Sequence, residues 1–111
     1  MTDIKLEFTE EMLRRIYQGK KICTTRESIH GTRGDTFEDP RGNKYRILEI
    51  IPTKLKKAIE TYYSLEGFSD PQEFFDYWLK FKEIDTSKQY KFTKEYSQKP
   101  AYIHFFQLIV E

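Results

Sequence analysis

The chain has 111 residues, 38% of them hydrophobic and 33% charged, enough for one domain with a single core and too few for two. Nineteen basic and eighteen acidic side chains leave a net charge of +1, so no general field draws in a polyanion and any nucleic-acid contact must be local. A lone cysteine excludes an intrachain disulfide, and with only two distant histidines it lacks metal-ligand spacing, so neither metal nor cofactor is expected.

At the amino terminus, acids stand where a leader peptide needs hydrophobes, and no apolar run approaches membrane-spanning length. The expectation is a cytoplasmic protein without membrane contact, and a monomer. Residues 4–8 alternate apolar and charged side chains, which predicts a strand with one buried face. Thr9 then caps a helix from Glu10 to about Gln18, with two glutamates in the first turn favoured by the helix dipole. Met12, Leu13, Ile16 and Tyr17 share one side of it, and Gly19 supplies the stop.

Residues 19–37 gather lysines, threonines and arginines at a helix-to-strand junction, too polar for core. A strand is predicted over 21–26, where Thr24 and Arg26 share a face. Lys21 is out of phase with both, so it precedes the regular strand or a bulge intervenes. Cys23 reads as an inward-facing small hydrophobe. Residues 27–35 form a loop, mobile and solvent-facing, that carries His30 and Arg33. Strands over 36–38 and 44–51 flank a Pro-Arg-Gly-Asn turn, with Tyr45, Ile47, Glu49 and Ile51 on one face. Pro52 ends the second strand, and Thr53 caps a helix to about Ser64 that buries Leu55, Ala58, Ile59 and Tyr62.

After a Glu66-Gly67-Phe68 turn, Ser69 or Asp70 caps a second helix with Pro71 in its first turn. Its stripe of Phe74, Phe75, Trp78, Leu79 and Phe81 reads as core rather than as a base-stacking platform. Residues 83–100 are irregular, with Lys88, Lys91, Lys94 and Lys99 interleaved among Tyr90, Phe92 and Tyr96. A single nucleic-acid strand could use that mixture for phosphate contacts and stacking, and so could a solvated loop with anchoring rings. The last strand, over 101–110, is apolar on both faces, and His104 within it reads as a satisfied core or barrel-mouth histidine.

Gly19, Lys21, Thr24, Arg26, Gly34, Asp35 and Phe37 form a G-x-K-x-x-T-x-R run followed by G-D-x-F. This resembles the signature of the ASCH domain. Glu66-Gly67-Phe68 before the helix carrying Trp78, and the closing strand, resemble the later part of the same pattern. The resemblance covers nearly the whole chain and implies a single α+β domain, a small mixed PUA-like β-barrel with flanking helices. Residues 83–100 are longer and the helix pair bulkier than the compact pattern needs.

Two functions follow from the resemblance. The first is binding of RNA or a modified nucleoside in a cleft lined by Lys21, Thr24, Arg26 and Glu66, with Lys20 and Arg33 as further cations and Lys88, Tyr90, Lys91 and Lys94 extending the contact. The second is the activity of one branch of the family, an amidohydrolase that deacetylates acetylated cytidine. That branch uses a lysine, a threonine and a glutamate, which match Lys21, Thr24 and Glu66. A base-activated threonine hydroxyl beside a lysine and an acid is chemically coherent for that reaction. Ribonuclease activity is a third possibility that the residues themselves do not favour.

Overall fold

The computed structural model describes residues 2–81 and 98–110. Expectations about Lys88, Tyr90, Lys91 and Lys94 lie outside these residues. The elements run α1 (Glu10–Tyr17), β1 (Cys23–Arg26), β2 (Thr36–Glu38), β3 (Lys44–Lys54), α2 (Leu55–Tyr62), α3 (Pro71–Phe81) and β4 (Pro100–Leu108). Four antiparallel strands in the order β1-β4-β3-β2 make a curled half-barrel, to which Asp3 adds one parallel bridge at Thr36. No helix among the described residues is long and apolar enough to cross a membrane.

Side chains of alternate residues on β4 supply two cores. Ala101 and Ile103 belong to one cluster with Cys23, Leu55, Ala58, Ile59, Phe68, Phe74, Trp78 and Leu79, the face covered by α2 and α3. Phe106 belongs to the other, with Leu6, Phe37, Tyr45 and Ile47. Ile103, Leu55 and Leu79 are at most 2% exposed, and each contributes about 1.5–3 kcal/mol by leaving water.

The two-sided sheet explains where the sequence pattern misleads. In β3, Ile47 pairs with Phe106 and Glu49 with Phe105, a β-bulge at Leu48. One extra residue reverses the phase, so Ile50 packs with Ile47 on one face while Ile51 packs against the α2–α3 cluster on the other. Tyr45, Ile47 and Ile51 therefore do not share a side. Pro52 does not end the strand either, since pairing with β4 continues to Lys54. Leu55 N–H donates to Lys99 C=O, and Pro52, an odd step away, turns its ring nitrogen to the side without a strand partner. Lys54 rather than Thr53 stands at the N-cap of α2 and makes no side-chain cap bond.

Residues 4–8 are not a strand. Ile4 N–H donates to Thr36 C=O, and the segment then lies over the sheet with Leu6 buried and Ile4 and Phe8 half-buried. Their alternation records burial, which an extended segment on a sheet face shares with a true strand. The caps predicted for the other two helices are present: Met12 N–H donates to Thr9 Oγ1 at 3.2 Å, and Glu73 N–H to Asp70 Oδ1 at 2.8 Å. Gly19, at φ +74°, closes α1, with its N–H on Ile16 C=O and that of Lys20 on Arg15 C=O.

Candidate functional site

Lys21 stands just before β1 and bridges to Glu66 in the turn between α2 and α3. Its Nζ lies 2.7 Å from Glu66 Oε2, with the two side chains 1% and 4% exposed. A buried pair loses hydration on both ions, so it persists only where the remaining oxygens are also satisfied. Thr25 Oγ1 donates to Glu66 Oε1 at 3.2 Å, and the Cys23 thiol approaches the same oxygen at 3.9 Å. Burial and the Glu66 charge push the Cys23 thiol well up from its usual range, so it is an inert neighbour.

The threonine at this pair is Thr25, whereas the sequence pattern pointed to Thr24. Strand alternation gives the reason. Thr25 pairs with Ile103 and shares the face that α2, α3 and the Glu66 turn cover, whereas Thr24 pairs with His104 on the other face. Thr24 is 1% exposed, and its Oγ1 accepts from Arg26 Nε at 3.3 Å.

A cavity of about 220 Å³ opens beside the pair. At ~30 Å³ per water it has room for roughly seven waters, the scale of one small ring system. Lys21, Thr25, Glu66 and Arg26 line its polar side; Phe68, Phe74, Tyr77 and Trp78, with Met12 and the Arg15 side chain, line the rest. It reaches the surface at Glu27 and Ser28, which are exposed, and His30 completes that end. The α3 stripe is thus both core and cavity wall, because Phe74 and Trp78 are buried in the helix-side cluster yet border the opening.

Arg26 is engaged mainly by the protein. Its Nη2 donates to Glu7 C=O at 2.7 Å and its guanidinium lies 5.2 Å from the centre of the Phe8 ring. Burial lowers its pKa, against the pull of nearby Glu66 and Glu7. His104, fully buried, has Nδ1 at 3.0 Å from Tyr102 C=O and Nε2 accepting from His30 N–H at 3.0 Å. These partners set a neutral ring with the proton on Nδ1, and burial holds its pKa below the usual histidine range. His30 is lowered too, by burial and then by the Arg26 charge. Lys20 and Arg33 are exposed and lie outside the cavity lining.

Sequence reasoning missed Thr25 and Arg15. The first was findable once a helix pair was assigned to the Cys23 face. Arg15 carried no signal, because an arginine on a short amphipathic helix reads as a solvated charge.

The strands and helices make a small α+β domain built on a four-stranded half-barrel. Neither a family model nor a curated protein sequence matches the chain. Among solved structures, hypothetical protein PH0355 is similar with a TM-score of 0.65 and 18% identity, over 98% of this chain and 100% of that one. The ASCH domain from Lactobacillus crispatus JV V101 is similar with a TM-score of 0.56 and 11% identity, over 96% of this chain and 79% of that one. The chain has the ASCH-domain fold.

Proposed function

We propose that the protein binds a nucleobase, as a free or modified nucleoside or as part of RNA, in the cavity beside Lys21 and Glu66. One observation carries the reading: a buried acid, cation and hydroxyl, joined by hydrogen bonds, line the same cavity as the rings of Phe68, Phe74, Tyr77 and Trp78. Flat rings stack on Phe, Tyr and Trp side chains, and polar base edges seek paired donors and acceptors of this type. An aromatic cage for a cationic ligand fits less well, because Arg15 and Arg26 both border the space.

Titration calorimetry with cytidine, acetylated cytidine, uridine, adenosine, guanosine and a short single-stranded RNA tests this. Saturable binding to at least one is expected, lost in Glu66→Gln and in Lys21→Ala combined with Arg26→Ala. Absence of binding to all six, or affinity unchanged in those variants, rejects the cavity as the binding surface.

A second reading, an amidohydrolase acting on acylated cytidine, is favoured by the Thr25, Glu66 and Lys21 contacts. Thr25 Oγ1 attacks the acyl carbonyl carbon while its proton passes to Glu66, whose other oxygen is held by Lys21. The C–N bond breaks, the amine leaves with that proton, and water hydrolyses the resulting ester. Free cytidine released from acetylated cytidine, and lost in Thr25→Val, supports it. Full release in Thr25→Val removes that hydroxyl from the chemistry.

A further inference from the structure

Arg15 joins the two stretches of chain that the proposed site brings together. Its backbone carbonyl accepts from the N–H groups of Lys20 and Lys21, at 2.9 and 3.2 Å, which fixes the approach to the lysine. Its side chain reaches across 52 positions: Nε donates to Gly67 C=O at 3.2 Å, and the guanidinium lies 4.5 Å from the centre of the Phe68 ring. Glu11 and Glu73 stand 2.8 Å from Nη1 and 3.7 Å from Nη2 as ion pairs without hydrogen-bond geometry, and Nη1 is buried with no hydrogen-bond partner. A Cβ on Gly67 would come within 2.9 Å of Arg15 Cδ, so the turn after Glu66 is built against the stem of this side chain.

We infer that Arg15 is a positioning residue that sets the Lys21–Glu66 contact and the Phe68 wall of the cavity. The inference rests on the binding reading above only for its functional consequence. Its structural content concerns one distance, that between Nζ and Oε2. A carbonyl bond, a ring face and two carboxylates engage different parts of a single planar guanidinium. Lysine keeps the charge but has no Nε–H to donate to Gly67 C=O and no planar group to lie over the Phe68 ring. Neither Phe68 nor Glu66 contributes a second tie from the turn to α1 among the described hydrogen bonds.

The test reads the ammonium protons of Lys21 by nitrogen-edited NMR at low temperature, without any ligand. In the native protein, burial and the Glu66 contact are expected to slow their exchange with water. Arg15→Lys is expected to accelerate that exchange at least about tenfold with an unchanged circular dichroism spectrum, and to weaken nucleoside affinity about tenfold, the equivalent of one lost hydrogen bond. Exchange as slow as native in folded Arg15→Lys overturns the inference. If Arg15→Lys does not fold, Glu11→Gln combined with Glu73→Gln decides, since these partly exposed acids orient the guanidinium. Faster Lys21 exchange there supports the inference, and unchanged exchange overturns it. A native protein that binds no nucleoside rejects the binding reading and leaves the exchange measurement valid.

Discussion

Lys21 and Glu66, separated by 45 positions, meet at 2.7 Å with both side chains almost wholly buried. Such a pair is weak evidence of net stabilisation, because the lost hydration of both ions offsets most of their attraction. Breaking it is another matter. Lys21→Met strands a buried carboxylate and is expected to destabilise the protein by about 3–5 kcal/mol. Adding Glu66→Leu should recover most of that loss, read as the urea midpoint at unchanged m-value. A double variant no more stable than Lys21→Met would mean that the pair acts through packing rather than charge.

Thr24 and Thr25 are neighbours with opposite assignments, and a paired substitution separates them. Thr25→Val removes a hydrogen bond to an ionised oxygen and is expected to cost about 1.5–3 kcal/mol of stability together with ligand affinity or turnover. Thr24→Val removes only the contact from Arg26 Nε, while Arg26 Nη2 keeps its bond to Glu7 C=O, and should leave ligand affinity within about twofold. Calorimetry on both variants checks the contrast. Equal losses would return Thr24 to the site.

His104 links loop 27–35 to the sheet through a ring nitrogen that must stay unprotonated to accept from His30 N–H. Its pKa is lowered in the folded protein, chiefly by burial, with the His30 and Arg26 charges adding to that and the Tyr102 and Thr24 carbonyls opposing it. Below pH 6.5 the unfolded chain therefore binds more protons at this position than the folded one, and stability falls as pH drops through that window. Ile50 of β3, paired across from His104, adds no charge. Melting temperatures from pH 8 to 5 should decline less steeply in His104→Gln than in the native protein. Parallel curves would exclude this histidine as the source.

Two glycines at positive φ make a further contrast. Gly19→Ala meets nothing within 4 Å and should cost only the strain of a left-handed alanine, about 1–2 kcal/mol. Gly67→Ala adds a contact of 2.9 Å with Arg15 Cδ and should cost more, with faster Lys21 exchange as well. Chemical denaturation of both, beside NMR, tests the difference.

Local chemistry made much of the fold legible. Thr9, Gly19, Asp70 and Pro71 marked helix ends because caps and stops depend on single residues. The Lys21 and Glu66 encounter was legible only through a motif resemblance, since two ordinary charges carry no periodicity. The bulge at Leu48 left no mark, because Ile47, Leu48, Ile50 and Ile51 are apolar whichever face each takes. Choosing between Thr24 and Thr25 required knowing which face of β1 the helices cover, a tertiary fact. The span over 4–8 misled for the reason that burial and strand pairing impose the same alternation.

The chain has a single tryptophan, and it borders the cavity with its ring packed edge-on to Phe74. The protein thus carries its own optical reporter: a stacked base should quench the emission of Trp78, whereas a ligand held elsewhere on the surface should leave the spectrum as it was.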